Sequence, residues 1–368
     1  MIRSATLADI DVLVSLENRC FDTDRISRRS FRHMLSRGHT ITLVEQQEDD
    51  IIGYVLVLLR KGTSLGRIYS IAVDPASRGR GVATGLITAV EAAALDNDCV
   101  LMRSEIRKDN PASQALFAAL GYRPFGVYEG YYEDAMDALR FEKHLAPHLD
   151  AALARVPYYR QTLEFTCGPA ALMMAMKALD AAVDLNRKLE LRIWRESTTI
   201  YMTSGHGGCG PHGLALAAYK RGFDVELYLK DAGSFLIDSV RSIDKKVVME
   251  LVQQDFEEQL RTLPVPIHYR TIGADDLEAL FQAGGIPLVL ISSYKLYGEK
   301  FPHWVVVSGF DSQYIYVSDP YVDVDAGKTV MDCINIPIVR PDFDRMARYG
   351  KSGQTAVLIV FRRGDRPA

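Results

Sequence analysis

Two stretches of this 368-residue chain set a cysteine directly before a glycine-proline pair and an alanine- and leucine-rich run: FTCGPAALMMA from Phe165 and GGCGPHGLALAA from Gly207. Each run predicts a helix with Cys167 or Cys209 in its first turn. There the helix dipole and unpaired backbone amides favour a thiolate, so either cysteine is a candidate nucleophile. Gln161, six residues before Cys167, separates the two: a glutamine amide beside the nucleophile's own N–H can hold a developing oxyanion. Thr203 takes the same offset before Cys209 and supplies no amide donor. A thiol nucleophile also needs an imidazole base, and the base an orienting group. The stretch FPHWVVVSGFDSQYIYVSDP, Phe301 to Pro320, reads as a β-hairpin. With its turn centred on Asp311, His303 is expected directly opposite Asp319, on one face and about 5 Å apart. A one-residue slip would separate them.

A second chemistry is written upstream. Arg78-Gly79-Arg80-Gly81-Val82-Ala83 lies between a strand-like GRIYSIAV and a helix-like VATGLITAVEAAALD. Glycines let the backbone turn tightly and leave amides at the helix N-terminus facing an anion. The arginines add charge-assisted contacts, so a pyrophosphate fits this turn.

Positioning these residues takes two architectures, and 368 residues exceed what one core ordinarily serves. Residues 1–145 alternate strand and helix signals. TITLVEQ and IIGYVLVLLR read as a hairpin, followed by the strand, turn and helix above. CVLMRSEIR then reads as a strand, NPASQALFAALGY as a helix stopped by glycine, and AMDALRFEKHL as a closing strand. Residues 146–156, APHLDAALARV, break the pattern and read as a linker. Residues 157–368 begin with a helix, continue with helices and end in the strands IPLVLISSY, HWVVVSGF, YIYVSDP and TAVLIVF, an α+β domain.

In residues 1–145, the order strand, R-x-x-G-x-A turn, helix, strand, N-P-A-S-Q-A-L-F-A-A-L-G-Y and terminal strand resembles the GNAT N-acetyltransferase superfamily, within it the ribosomal-protein alanine N-acetyltransferases. The resemblance implies a mixed sheet with flanking helices and acetyl-coenzyme A as cofactor. It implies that Arg78, Gly79, Arg80, Gly81, Val82 and Ala83 hold the pyrophosphate. A splayed strand containing Ile71, Ala72 and Val73 would bond the pantetheine and acetyl carbonyl, and Asn110 would touch the cofactor. Tyr131 and Tyr132 would shape the acceptor pocket, and Glu105 matches the general base. Where the family often has a tyrosine acid, this chain has Phe117, which has no proton to give; Tyr122 and Tyr132 are candidates to replace it.

The order Gln-x5-Cys-Gly-Pro-Ala, a late histidine at a strand start and Asp-Pro resembles the papain-like bacteriocin-processing (double-glycine leader) cysteine peptidases, over about 157–325. Carried over, Cys167 is nucleophile, His303 base, Asp319 orienter and Gln161 oxyanion donor. The long segment 180–285 departs from that pattern. Together the resemblances imply an enzyme acting on a peptide or protein with a free amine, acetylating at one site and cleaving a peptide or amide bond through a cysteine thioester at the other. A cysteine-dependent acyl or peptidyl transferase, and an acetyl-coenzyme A sensor joined to a peptide-binding module, are the alternatives.

The remaining candidates carry less chemistry. His206, Cys209 and His212 have the spacing H-x2-C-x2-H, open to a metal, a substrate-lining loop or a structural turn; no fourth ligand accompanies them, and no metal is expected. Cys20, Cys99 and Cys333 read as packed thiols, Trp194 and Trp304 as core or groove walls, and His268 as a strand residue. A net charge of −4 argues against nucleic acid or an anionic membrane as partner. No apolar run is long enough to span a bilayer. Five scattered cysteines form no disulfide framework and suit a reducing cytoplasm. Nothing in the sequence sets an oligomeric state.

Overall fold

A computed structural model describes residues 1–48, 50–146, 152–153, 156–198, 207–237, 240, 242–326 and 328–367. The chain divides into two compact units, Met1–Leu149 and Asp150–Ala368.

The first unit is built on seven strands: β1 (Ile2–Ser4), β2 (Thr40–Gln47), β3 (Asp50–Leu59), β4 (Leu65–Val73), β5 (Leu101–Arg107), β6 (Arg123–Tyr128) and β7 (Ala138–His144), in the order β1-β2-β3-β4-β5-β7-β6. Only β4 and β5 run parallel, and α3 (Val82–Leu95) crosses between them. Its buried Leu86, Ile87, Val90 and Ala94 recur at helical spacing and meet Val55, Val57 and Met102 on one face of the sheet. The other face is covered by α1 (Ile10–Cys20) through Leu13 and Leu16, and by Phe31 of α2 (Arg28–Ser36). The sequence reading missed α1 and α2, whose apolar stripes are interrupted by charge. It also missed β6, which lets the closing strand β7 insert between β5 and β6. The fourth helix, α4 (Pro111–Ala119), ends before Gly121, whose φ of 88° is the left-handed stop expected there.

A bulge shapes the centre of this sheet. Leu56 pairs with Ser70 and Val57 with Ile68, leaving Tyr69 as the extra residue of β4. Pairing of β4 with β5 runs from Leu65↔Leu101 to Ile68↔Ser104 and stops, although β4 continues to Val73 and β5 to Arg107. Ile71, Ala72 and Val73 remain paired to β3 on one side and have parted from β5 on the other.

The second unit has a sheet ordered β10-β9-β15-β11-β12-β13-β14, with β8 added to β12. Its strands are β8 (Ala152–Leu153), β9 (Phe223–Leu229), β10 (Ile267–Tyr269), β11 (Ile286–Ser292), β12 (Pro302–Phe310), β13 (Tyr314–Ser318), β14 (Ile336–Val339) and β15 (Ala356–Arg362). On one face lie α5 (Cys167–Leu179), α6 (Arg187–Ser197), α7 (Pro211–Lys220) and α8 (Ile243–Arg261). On the other lie α9 (Ala274–Gln282), α10 (Tyr294–Tyr297) and α11 (Arg340–Met346). Alternation along β11 serves both cores: Leu288 and Leu290 face α5, Val289 and Ile291 face away. Helix α5 is buried from Gly168 through Met176, the stretch that precedes Lys177 and carries no charge, as a helix apolar all round must be.

Two expectations change. The stretch 146–156 was expected to be a linker, but β8 pairs with Gly309 and Phe310, and Val156 is buried in the second unit's core; residues 147–151 and 154–155 lie outside the described set. The middle of the second unit is not all helix. FDVELYL forms β9 in mid-sheet, its Phe223, Val225, Leu227 and Leu229 alternating into the core.

Where α6 meets α7, a β-carbon on Gly213 would lie 2.7 Å from Ser197 Cα and O, too close for helix backbones to accept without moving. Gly213→Ala should therefore cost about 1–3 kcal/mol, as overpacking does. Both tryptophans, Trp194 and Trp304, belong to the second unit, so fluorescence-monitored urea unfolding reads this loss; an unchanged midpoint would show that the helices separate freely.

Candidate active sites

Helix α5 begins at Cys167 and packs across β11 and β12. Close approach is possible because residue 168 is glycine: a β-carbon there would sit 3.1–3.3 Å from Leu214, Trp304 and Cys209. His303 lies near the start of β12, 2% exposed, and acts on the Cys167 thiol at the start of α5. Its Nε2 is 2.7 Å from Oδ1 of the fully buried Asp319, which leaves Nδ1 for the sulfur. Burial alone would push the Cys167 thiol up. The hydrogen bond and charge of His303, with the backbone N–H groups of Trp304 and Gly168, reverse that and hold it below the ordinary 9.0. Burial would likewise lower the imidazole, but the charge and hydrogen bond of Asp319, then Cys167, raise it to about 10. The arrangement favours a thiolate beside an imidazolium.

His303 and Asp319 meet by a different register from the one expected. Val306 faces Ser318 and Val307 faces Val317. Continued one step, that register sets Asp319 beside Val305, two residues along from His303. The two-residue offset arises at the turn, where Asp311 Oδ1 accepts from the N–H groups of Gln313 and Tyr314, and at a bulge between Val307 and Gly309. An even offset keeps both side chains on one face, where diagonal neighbours still reach each other.

Groups with no sequence signal of their own hold Asp319. Its Oδ2 accepts from Tyr297 Oη, its Oδ1 also accepts from Tyr321 N at 2.9 Å, and its backbone carbonyl accepts from Tyr158 Oη at 2.9 Å. The rings of Tyr297, Phe301 and Tyr321 stand edge-on around the imidazole at 6.0–6.4 Å. A tyrosine at the last position of a four-residue helix carries no pattern distinguishing it from packing, so only the fold exposes this role.

Gln161 is tied to the same region, its N–H donating to Pro320 O at 2.9 Å. Its side-chain Nε2 donates to Leu163 O and Glu164 O at 2.9 and 3.2 Å, and its Oε1 has no partner among the described residues. The amide expected to face an oxyanion is thus turned into its own loop in this structure.

Cys209 is close to this site but takes no part in the dyad. Burial, then the negative charge at Cys167, push its thiol far up. Its carbonyl accepts from Trp304 Nε1 at 3.1 Å, which makes Trp304 a core residue. Trp194 packs on Phe165 and donates to Gly207 O. His212 turns toward α8, 3.8 Å from Glu257. Among the described residues no three His, Cys, Asp or Glu side chains group as metal ligands; His206 and Thr203 lie outside that set. The Cys99 and Cys333 thiols are buried and Cys20 is half-buried, while His268 stacks on Tyr228.

In the first unit, Gly79 and Gly81 adopt φ of 75° and 80°, a conformation that favours glycine, and Gly81 caps α3. A β-carbon at either would meet nothing within 4 Å, so the turn is open on that side, and Val82 and Ala83 begin the helix that follows. Arg78 and Arg80 flank the turn, exposed. This cradle fits a pyrophosphate, and the parted strand at Ile71 to Val73 adjoins it. Asn110 instead caps α4, its Oδ1 accepting from Ser113 N at 3.0 Å.

Glu105 is not a solvated strand-end carboxylate. Its side chain is 4% exposed and lies 3.6 Å from the buried Arg67 guanidinium on β4. Tyr131 and Tyr132 stand edge to face beside it, and Tyr132 Oη donates to the Glu105 carbonyl. Burial, then the Glu105 charge, push both phenols up. Phe117 is enclosed against Tyr122, whose phenol is pushed up by burial and by Glu91.

Residues 156–361 match the Peptidase_C39 like family and residues 10–122 the Acetyltransferase (GNAT) family. The chain is 30% identical over 148 residues to the catalytic subunit of the N-terminal acetyltransferase A complex of Arabidopsis thaliana, spanning 39% of this chain and 77% of the relative. It is 26% identical over 148 residues to an N-alpha-acetyltransferase of Saccharolobus solfataricus, 37% of this chain and 88% of that protein. Among solved structures, the ribosomal-protein-S18-alanine N-acetyltransferase from Escherichia coli aligns at 19% identity with a TM-score of 0.37, covering 39% of this chain and 93% of that one. No helix among the described residues is long and apolar enough to cross a membrane.

The thiol chemistry is directly testable. Iodoacetamide should label Cys167 before Cys209, with half-maximal rate at a pH below the ordinary cysteine value of 9.0. Asp319→Asn weakens the imidazolium and His303→Ala removes it, so both should move that midpoint to higher pH. A midpoint unmoved by either change, read by mass spectrometry of the labelled peptide, would mean that the thiolate is not held by the imidazolium.

Proposed function

The chain belongs to the Peptidase_C39 like family and to the GNAT acetyltransferase family, and on that premise we propose that it modifies peptides or proteins bearing a free amine. The first unit transfers an acetyl group from acetyl-coenzyme A, and the second cleaves a peptide or amide bond through a Cys167 thioester. The observation that carries the second half is the buried His303, held at 2.7 Å by the buried Asp319 beside Cys167 at the start of α5.

In the cysteine site, the Cys167 thiolate attacks the carbonyl carbon and the carbonyl electron pair moves onto oxygen. Collapse expels the amine, which takes its proton from His303. Water then attacks the thioester carbonyl and yields its proton to His303, and the acid leaves as the thiolate returns. Asp319 keeps the ring oriented and favours its charged form throughout. The N–H of Cys167, in the first turn of α5, is placed to donate to the oxyanion, and rotation of the Gln161 amide out of its loop would add a second donor.

In the first unit, Gly79 to Ala83 and the arginines beside them would hold the coenzyme A pyrophosphate, and Ile71 to Val73 its pantetheine arm; bound there, the cofactor supplies an activated acetyl thioester. Tyr131 and Tyr132 line the acceptor side. Glu105 receives the proton of the acceptor ammonium, in a site where Arg67 already neutralises its charge. Phe117 gives the leaving thiolate no proton, which leaves Tyr132, whose phenol bonds the Glu105 carbonyl, as a candidate donor.

Mass spectrometry of a peptide library incubated with enzyme and acetyl-coenzyme A should reveal both acetylated and cleaved products. Cys167→Ser should erase cleavage, and Cys209→Ser should leave most of it. Gly81→Glu, which puts a carboxylate into the cradle, should abolish cofactor binding by calorimetry and acetylation with it. Cleavage surviving Cys167→Ser would overturn the assignment. In the same assay Glu105→Gln should lower the acetylation rate while leaving cofactor affinity intact; an unchanged rate would move the base elsewhere.

A further inference from the structure

The second unit holds another buried carboxylate, and it faces the loop that leads into the nucleophile. Glu190, on α6, is 0% exposed, and no cation pairs with it among the described residues. Its charge is met by neutral donors: Oε1 by Thr162 N at 2.8 Å and Thr166 Oγ1 at 2.5 Å, Oε2 by Tyr159 Oη at 2.9 Å and Thr162 Oγ1 at 2.7 Å. Every donor comes from residues 159–166, the segment that contains Gln161 and leads directly into Cys167. A buried charge is tolerated only when its acceptor sites are filled, so this segment is bound to wrap around the carboxylate.

Thr166 is the informative contact. Its hydroxyl has one hydrogen and two acceptors within reach, Glu190 Oε1 and Leu163 O at 2.8 Å. The shorter contact has the length of a hydrogen bond to an ionised carboxylate. Thr166 provides the carbonyl half of the peptide group whose N–H belongs to Cys167, so holding its side chain fixes where that N–H points. Thr162, held by two bonds to the same carboxylate, fixes the backbone next to Gln161.

We propose that Glu190 is a positioning residue that holds the oxyanion side of the cysteine site, through the loop Tyr159–Thr166, while the imidazole side is held separately by Asp319. The inference rests on Cys167 being the nucleophile, and it assigns a function to the middle segment in which this chain departs from the peptidase pattern.

Two thiol reagents separate the sides of the site. Iodoacetamide alkylates a thiolate by displacing iodide, with no carbonyl oxyanion. p-Nitrophenyl acetate acylates the same thiolate through a tetrahedral oxyanion, releasing p-nitrophenolate. In Glu190→Gln the alkylation rate of Cys167 in the full-length chain should stay within about twofold of wild type, whereas acylation should fall roughly 10-fold or more, part of the ~100- to 1000-fold cost of losing an oxyanion donor outright. Thr166→Val, which removes only the hydroxyl, should show the same split, and Thr166→Ser should restore the wild-type ratio. If both rates fall together in Glu190→Gln and Thr166→Val, or neither changes, Glu190 is only structural. If the wild-type chain is not alkylated at Cys167 at all, the cysteine reading itself fails instead.

Discussion

The second unit is arranged around one demand, an imidazolium kept charged inside protein. His303 is almost wholly enclosed and Asp319 entirely so, and neither ion would stay charged there alone. Their attraction in a dry setting meets that cost only because every polar atom of the pair has a partner. Asp319 receives the imidazole, the Tyr297 hydroxyl and the Tyr321 N–H, and its backbone is tied at N to Cys333 and at O to Tyr158. Those residues come from α10, the segment after β13, the turn before β14 and the chain entering the unit. One residue thus draws together, through its carboxylate and its backbone, pieces of chain more than 150 residues apart, Tyr158 and Asp319 being 161 positions distant.

Helix α5 turns that charged pair into chemistry. It is apolar on all sides and fixed between the sheet and α6 and α7, so Cys167 has little freedom to leave the imidazole. Gly168 lets the helix approach Trp304 and Cys209 to contact distance. Cys209, beside it, has the same local motif, yet burial without an imidazole leaves it a protonated thiol. The dipole of a helix terminus is worth too little to decide between them; the imidazolium decides.

The proposed cofactor site of the first unit is built from backbone more than from side chains. The Tyr69 bulge and the parting of β4 from β5 leave strand groups unpaired by the sheet, and two left-handed glycines turn the chain into the start of α3. Side chains matter more around the proposed base, where Arg67, Glu105, Tyr131 and Tyr132 crowd together. A carboxylate that shares its charge with a buried guanidinium is a different group from a solvated one, and this pairing sets the Glu105 cluster apart from the glycine turn.

Much of this was readable in the residues alone, because it depends on short spacings. Gly79 and Gly81 announce a tight turn before a helix, Cys167 a thiol in a first turn, and the alternation in β11 to β13 and β15 a buried sheet. The pairing of His303 with Asp319 was expected for a register that the hairpin does not adopt, and it survives because the true offset is even and the face is kept. What sequence could not reach is whatever depends on distance across the fold: Arg67 against Glu105, Tyr297 on Asp319, Glu190 beneath the loop at Gln161, and the inward turn of the Gln161 amide. Local patterns determine which face of a helix or strand is apolar and where a backbone can turn. Which polar groups then meet inside is decided by tertiary packing, because a buried charge takes whichever partners the fold brings within hydrogen-bonding distance.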